Sequence, residues 1–455
     1  MATLCPAEQL RKNVRGVAMS VLSVPIKTSD ILEIKGRNIW GVNPPVRDFA
    51  FADLWSKPLG LLYLLQSLRS ENDVTLLDCT AFAAIGEKSF GRSKIRKQEI
   101  EKPEVYCSIP RRYNHFGLTK EEISAFAASR PAPDLILLTS AMTYWYPGVE
   151  WAIKTLKEIF PNVPVVLGGI YASLIPEHAA RRGADYIVAD RTEPCAPYPA
   201  MDLYGTPRYG VVMTSFGCPF SCRYCASKIL WPRYRRRPLS EVLCEIDFQA
   251  SLGAVDFAFY DDALLLEKEN FFYPLCRETR SRYGGALRLH TPNGLHVREI
   301  DEKCALTLFE SGFKTIRLSL ESIDPKVAHD GSGKVARNEY ASAVKNLLAA
   351  GYESKDCETY ILLGLPGQDV SSVLDTIDFV RECGGIPKLA EFSPIPGTQH
   401  FEEAASKIPA LREEPLLQNN SVYCSYFSKD ISPEVLQSLK DAARGQSKRA
   451  NDAFS

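Results

Sequence analysis

An α/β chain of two parallel-sheet domains in series is the fold class that this sequence predicts. Short apolar runs alternate with helix-like segments from residue 38 to 190, and a second alternation runs from 210 to 398. Buried runs separated by helices read as strands covered on both faces, which is how parallel sheets are built. In the first domain the runs end in Asn, Asp, Thr, Ser or Gly. Ligands of open parallel sheets sit beyond the carboxyl ends of their strands, so these ends are candidate binding positions.

In the first domain Asn38–Val42 runs into Asn43-Pro44-Pro45, Val74–Leu77 into Asp78, and Leu135–Leu138 into Thr139-Ser140. Val163–Leu167 runs into Gly168-Gly169, and Tyr186–Val188 into Ala189-Asp190. Helix-like segments at Gly60–Arg69, Val149–Phe160 and Pro176–Arg182 fall between them. The expectation is a Rossmann-like, doubly wound domain over 38–190, preceded by an extension over 1–37. Ala81–Ser129 breaks the rhythm, with Lys88, Arg92, Lys94, Arg96 and Lys97 followed by Arg111, Arg112 and His115. It reads either as an insertion on the ligand face or as a solvated charged loop. Residues 191–209, rich in proline and tyrosine and without periodicity, read as a linker.

The second alternation has apolar runs at Gly210–Phe216, Val255–Tyr260, Leu287–His290, Thr315–Leu320, Thr359–Leu363 and Leu389–Phe392. Helical patterns at Leu239–Leu252, Lys268–Tyr283, Asp301–Ser311, Glu339–Ala350 and Val370–Cys383 return the chain each time to a parallel strand. Six such units over 210–398 predict a partial (β/α)6 barrel of the TIM type, with its chemistry on the loops that follow the strands. Residues 399–455 read as a small helical C-terminal region, with a helix at Pro433–Arg444 and a polar, frayed end from Gln446.

The loop after the first barrel run reads Gly217-Cys218-Pro219-Phe220-Ser221-Cys222-Arg223-Tyr224-Cys225, a C-x3-C-x2-C spacing. Three cysteines within eight residues on a Gly- and Pro-bearing loop are poor candidates for core packing. A closed structural zinc site wants four protein ligands, and here the fourth would have to come from a distance. A cubane iron–sulfur cluster also normally takes four thiolates. Cys218, Cys222 and Cys225 would leave one iron open to a non-protein ligand, and an open position on a redox metal is a catalytic arrangement.

Other strand ends carry reactive side chains. Tyr260-Asp261-Asp262 places paired carboxylates at a strand end, which is costly without a compensating cation or shared proton. Asp262 alone would also serve as a helix cap. His290-Thr291-Pro292-Asn293-Gly294-Leu295-His296 is a tight turn that can aim His296 into the barrel mouth as an acid, a base or a substrate anchor. Along Ile316–Ser322, alternation puts Arg317, Ser319 and Glu321 on one face. Leu363-Gly364-Leu365-Pro366-Gly367-Gln368 lets backbone approach a flat ligand closely. The last run leads into Ser393-Pro394-Ile395-Pro396-Gly397-Thr398.

Taken in this order, the cysteine loop, Glu321-Ser322, the Gly364–Gln368 turn and the Pro394–Thr398 turn resemble the radical SAM superfamily. Within it the chain is similar to enzymes with an N-terminal cobalamin (B12)-binding domain. Over about Asn38–Thr398 the resemblance rests also on Asn43-Pro44-Pro45, Pro58-Leu59-Gly60, Val74–Asp78, Thr139-Ser140, Gly168-Gly169 and Pro176-Glu177. It implies that Cys218, Cys222 and Cys225 ligate a [4Fe–4S] cluster. It implies that Tyr224, Asp261, Ser319, Glu321, Gly364 and Pro396 contact S-adenosylmethionine bound at the open iron. It implies that Asn43, Pro44, Thr139, Ser140, Tyr144, Gly168 and Gly169 contact cobalamin. No D-x-H-x-x-G run is present, and His115 has the wrong spacing to replace it, so no histidine ligand to cobalt is expected.

The implied activity is reductive cleavage of S-adenosylmethionine to a 5′-deoxyadenosyl radical, followed by cobalamin-dependent methylation of an unactivated carbon, with Asp261 and His296 as candidate catalytic groups. Cyclisation or rearrangement without methyl transfer, an RNA methylthiotransferase-like reaction, and a non-catalytic iron–sulfur sensor stay open. The methylthiotransferase reading needs a second cluster, and Cys5, Cys79, Cys107 and Cys195 lack matching spacing. The expected partners are a small-molecule or peptide substrate and an external low-potential electron donor such as flavodoxin or ferredoxin. The run Arg233-Tyr234-Arg235-Arg236-Arg237 suits either an anionic ligand or solvated surface.

Composition limits the remaining classes. With 455 residues, 45% hydrophobic and 24% charged, the chain is globular, and a net charge of −1 provides no global field for nucleic acid. Thirteen scattered cysteines, an odd number, suit a reducing cytoplasm better than a disulfide framework. No apolar run approaches the roughly 20 residues needed to span a bilayer. Val17–Ile26 is apolar and follows Arg11, Lys12 and Arg15, but Ser20, Ser23 and Pro25 interrupt it and no cleavage motif follows.

Overall fold

The computed structural model describes residues 22–194, 196–325, 327 and 335–446. Residues 17–21 of the apolar N-terminal stretch and the polar end, 447–455, lie outside the described residues. The chain divides into two compact units, Met1–Pro207 and Arg208–Ser455. Among the described residues no helix is long and apolar enough to cross a membrane.

The first unit is built on β1 (Val24–Ile26), β2 (Asn38–Asn43), β4 (Asp73–Asp78), β9 (Leu135–Leu138), β10 (Val165–Leu167) and β11 (Tyr186–Val188). All pair in parallel, in the order β1-β11-β10-β9-β2-β4. Without β1 this is the 2-1-3-4-5 order of flavodoxin-like sheets, whose ligand crevice opens where the order reverses, here between β2 and β9. β1 pairs along β11, so the sheet takes in residues from the segment read as an extension. Helices α1 (Leu59–Leu68), α2 (Lys120–Ala128) and α3 (Tyr146–Ile159) cover it.

Between β4 and β9 the chain makes short antiparallel pairs. β5 (Ala84–Glu87) pairs with β6 (Ser93–Ile95). β3 (Val46–Asp48), β8 (Asn114–Phe116) and β7 (Lys97–Glu99) form a second small sheet. β3 directly follows the carboxyl end of β2, so its pairing with β8 fastens the insertion at the ligand edge. Helix α2 lies in the stretch without rhythm, and its Thr119-x-x-Glu122 capping box was the local signal for it. Residues 196–207 are no free tether. Tyr204 donates to Asp78 at 2.6 Å, and Arg69 meets Asp202 in a two-pronged pair at 2.8 and 2.9 Å.

The second unit has β12 (Gly210–Val212), β15 (Asp256–Phe259), β16 (Arg288–His290), β18 (Phe313–Glu321), β19 (Cys357–Leu363) and β20 (Ile386–Glu391). They are parallel neighbours in strict sequence order, an open six-stranded barrel wall. α4 (Leu239–Ser251), α5 (Tyr273–Tyr283), α6 (Glu302–Glu310), α7 (Arg337–Ala350) and α8 (Val370–Glu382) connect them. Along β18 and β19 alternate residues are buried in the core beneath the helices, while Arg317, Ser319, Glu321, Glu358 and Tyr360 are only partly buried on the other face. The shared face expected for Arg317, Ser319 and Glu321 is therefore present. α9 (Gln399–Lys407) and α10 (Pro433–Arg444) follow β20.

Candidate functional site

The run Gly210–Phe216 is two strands rather than one. After β12 the chain leaves the barrel wall, and β13 (Ser215–Phe216) pairs antiparallel with β14 (Arg235–Arg236), enclosing the cysteine loop between them. Gly217 opens that loop with φ +72°, and a Cβ there would lie 3.0 Å from the carbonyls of Trp231 and Arg233, so glycine is required.

Buried charges clamp the hairpin. The Asp261 carboxylate accepts from the Thr214 amide at 2.9 Å and from the Thr214 and Ser215 hydroxyls at 2.6 Å each. Arg236 lies 3.5 Å away, and the two side chains are 0% and 8% exposed. Arg236 also donates to the carbonyls of Leu264 and Leu266. Arg237 donates to the Met213 carbonyl at 2.8 Å and pairs with buried Glu245 at 2.5 Å. This corrects two expectations. Asp261 is committed to the backbone and hydroxyls leading into the cysteine loop and is not among the residues lining the cavity beside that loop. Arg236 and Arg237 are internal struts, neither solvated surface nor an anion site; burial without a partner would be too costly for either.

The loop borders a cavity of ≈ 350 Å³ whose wall includes Cys218, Cys222 and Cys225, Asp262, Asn293, Gly294, His296, Ser319 and Gly397–Gln399. Cys218 and Cys222 are buried and Cys225 is exposed. Among the described residues no three His, Cys, Asp or Glu groups converge on one point as a single ion requires. Three thiols lining one cavity are the donor set that a cubane cluster with one open iron would need.

The opposite walls come from strand ends. Asp262, the second of the acidic pair, accepts from Ser227 at 2.5 Å. Asn293 donates to the Tyr260 and Asp261 carbonyls, fixing the turn that presents Gly294 and His296. A Cβ on Gly294 would lie 2.1 Å from Ser319 Oγ, so the turn sits directly on β18. His296 is 8% exposed and packs edge-on against Phe220 of the cysteine loop, with ring centroids 4.7 Å apart.

Glu321 holds φ +71° at a bulge in the β18–β19 ladder. A left-handed non-glycine residue is strained by about 1–3 kcal/mol and is characteristic of functional positions. Burial drives the Tyr224 phenol pKa far up, and the neighbouring Glu321 carboxylate and Cys222 thiolate push it further, which places these three groups together. Of the predicted S-adenosylmethionine contacts, Ser319 is on the cavity wall. Gly364 and Pro396 are not, although Gly397 and Thr398, next to Pro396, are. Gly364 instead abuts Cys424, its Cβ position 2.8 Å from that Cβ, and its amide donates to Gln368. Ser227, Lys228 and Gln399 also line the cavity and were not singled out from sequence; the first two follow the last cysteine within three residues.

In the first unit the predicted residues stand at the ends of β2, β9 and β10, around the switch point. Several are occupied internally. The Asn43 amide donates to Asp78 and Thr80. Ser140 Oγ donates to the Gly168 carbonyl at 2.6 Å. Gly169, at φ +94°, has no room for a Cβ, which would lie 2.3 Å from the Ser140 carbonyl; its role is closure of the two strand ends. A Cβ on Gly168 would meet Val188 at 3.8 Å, an ordinary contact. Pro44 is buried, and Thr139 is half-buried with its amide bonded to Val42. The Tyr144 ring is buried, and its phenol pKa is raised by desolvation and by nearby Asp48. Leu54, Phe82, Ile85 and Met142 are exposed apolar side chains of this unit, Phe82 being stacked on Phe126. His115 is buried, held at Nε2 by the Leu118 carbonyl and packed edge-on against Trp151, and burial lowers its pKa. It is not disposed as a metal ligand.

Comparison with known proteins agrees with both units. The model of the Radical SAM superfamily matches residues 212–380, and that of the B12 binding domain matches residues 111–196. An uncharacterized methyltransferase, PH0819, of Pyrococcus horikoshii is 23% identical over 401 residues, 76% of this chain and 78% of that protein. The radical S-adenosylmethionine methyltransferase TsrM from Kitasatospora setae, solved with cobalamin and a [4Fe–4S] cluster bound, superposes with a TM-score of 0.60 at 17% identity, covering 83% of this chain and 79% of that one. The cobalamin-dependent S-adenosylmethionine radical enzyme OxsB superposes with a TM-score of 0.54 at 13% identity, covering 93% of this chain and 63% of that one. At such identities the superpositions establish the fold, and the two family models place a B12-binding domain ahead of a radical SAM domain in this chain.

Proposed function

We propose that the protein is a cobalamin-dependent radical SAM methyltransferase acting on an unactivated carbon of a small-molecule or peptide substrate. The observation that carries this reading is the placement of Cys218, Cys222 and Cys225 on one wall of a cavity whose other walls come from the strand ends of a partial barrel. Cys218, Cys222 and Cys225 would hold the [4Fe–4S] cluster. Ser319, Glu321, Tyr224 and the Gly397–Thr398 turn would hold S-adenosylmethionine. The switch-point crevice of the first unit, with Thr139 and Gly168, would hold cobalamin. When bound, these groups supply one-electron reduction of the sulfonium and a transferable methyl group.

The chain's own residues do the remaining work. Asp261 and Arg236 fix the strand leading into the thiols. Glu321 and Tyr224 accept strain and desolvation to present polar atoms beside Cys222. His296, wedged against Phe220 on the cavity wall, is positioned to hold or accept a proton from substrate. Electrons would come from an external low-potential donor such as flavodoxin or ferredoxin, in a cytoplasmic setting. Support for methyl transfer over rearrangement comes from the relatives above, of which PH0819 and TsrM are named methyltransferases.

The test is anaerobic expression with cobalamin supplied, followed by turnover of S-adenosylmethionine under reducing conditions. Corrin absorbance in the purified protein, with formation of S-adenosylhomocysteine and a methylated product, supports the reading. Bound corrin without a methylated product from any accepted substrate would turn it toward rearrangement.

A further inference from the structure

Arg223, the first of the two residues between the second and third cysteines, is gripped by a helix outside the barrel. α9 begins at Thr398, whose hydroxyl accepts from the Phe401 amide at 3.2 Å. Its first-turn amides have no partner within the helix and must find one elsewhere. That of His400 donates to the Arg223 carbonyl at 3.1 Å. One turn later Glu403 pairs with the Arg223 guanidinium, the two side chains being 30% and 38% exposed. His400 Nε2 stands 3.9 Å from the Glu403 carboxylate, and the ring centroid is 6.3 Å from that of Tyr224 and 6.0 Å from that of Phe392. Main chain and side chain of Arg223 are thus both held by one turn of α9, while Arg223 itself lies on the cavity wall with the three thiols.

Stability does not explain the ion pair. At such exposure it is worth about 0–1 kcal/mol, and the His400 amide bond would hold the loop without it. Its position has another effect. A guanidinium beside thiolate-bound iron favours the reduced, more negative state of a cluster, and a carboxylate opposes this by the same Coulomb law. The geometry points to Arg223 and Glu403 as a positioning pair that sets the electron affinity of the cluster: Glu403 neutralises and orients Arg223, and so keeps the cluster a strong reductant. The inference rests on the reading of Cys218, Cys222 and Cys225 as cluster ligands.

The experiment is a potentiometric titration of the anaerobically reconstituted protein, monitored by electron paramagnetic resonance. It compares wild type, Glu403→Gln, Glu403→Asp, Arg223→Gln and the doubly exchanged Arg223→Glu with Glu403→Arg. Glu403→Gln is expected to raise the midpoint and Arg223→Gln to lower it, each changing the reduced-to-oxidised ratio at fixed potential several-fold. Glu403→Asp, which keeps the charge, should stay at the wild-type value, and the exchanged pair should return toward it. A purely structural role would move both neutralised variants in one direction with loss of iron. Midpoints that do not move, or that move together, in protein with normal iron content overturn this inference alone. A wild-type protein that assembles no cluster overturns the cysteine assignment beneath it.

Discussion

Replacing Asp261 by Ala tests the division of labour between the two adjacent carboxylates. Asp261 receives one amide and two hydroxyl hydrogen bonds at 2.6–2.9 Å, and Arg236 stands 3.5 Å off. Removing the carboxylate strands three buried donors and a cation that is 8% exposed. Bonds to a charged group contribute about 1.5–3 kcal/mol each, but the simple sum overshoots because Thr214, Ser215 and Arg236 share one acceptor and relax together. Loss of one partner from a buried pair costs about 3–5 kcal/mol, and that is the expected destabilisation. It is a large fraction of a domain's usual 5–15 kcal/mol. Asp262→Asn, at an exposed position on the cavity wall and bonded to Ser227, should cost less than about 1 kcal/mol. Urea unfolding of the apoprotein reads both values. Hydrogen exchange at the Thr214 amide, bonded to Asp261, reads the local effect without assuming two-state behaviour across two units. Because this segment leads into Cys218, Asp261→Ala should also lower iron content after reconstitution. An Asp261→Ala protein within about 0.5 kcal/mol of wild type, or an Asp262→Asn protein equally damaged, would refute the reasoning.

Gly294→Ala places a methyl 2.1 Å from Ser319 Oγ, so the turn or the serine must shift. At an overpacking cost of about 1–3 kcal/mol, S-adenosylmethionine affinity should fall tenfold or more by equilibrium binding, with iron content unchanged. His178 makes a pH prediction: burial first, then Arg182 and Arg181, push its pKa down to about 4. The unfolded chain, with a histidine pKa near 6.5, therefore takes up the proton first as pH falls. The resulting stability is present above about pH 6.5 and is lost as pH falls toward 4. His178→Gln should unfold with a urea midpoint that declines less between pH 7 and pH 4.5 than that of wild type.

How far the sequence carries depends on whether a residue's environment is local. The strand-end motifs are local: the cysteine spacing, the alternation along β18 and the Asn293-Gly294 turn all stand where pattern and turn chemistry put them. What misleads is composition without partners. Arg233–Arg237 reads as a basic patch, yet Glu245 and Asp261, at positions 245 and 261, convert Arg237 and Arg236 into buried struts. Asp261 and Asp262 are indistinguishable in sequence. The pleat sends one inward to Thr214 and the other to the cavity. Tyr144 and Ser140 carry groups suited to a cofactor, and the packing of β9 against β10 occupies them first. The small strands of the insertion are three or four residues long, too short to show a period; β8 finds the edge of β3, while β5 and β6 pair with each other.

The account's central claim is that three thiolates on one loop hold a four-iron cluster with one iron open to S-adenosylmethionine. The direct measurement is electron paramagnetic resonance of the dithionite-reduced, anaerobically reconstituted protein, before and after adding S-adenosylmethionine, in wild type and in Cys218→Ala, Cys222→Ala and Cys225→Ala. The prediction is a [4Fe–4S] signal whose g-values shift on addition, and loss of both signal and 5′-deoxyadenosine formation in each variant. A wild-type cluster signal that does not respond to S-adenosylmethionine, or undiminished cleavage in the variants, would contradict it.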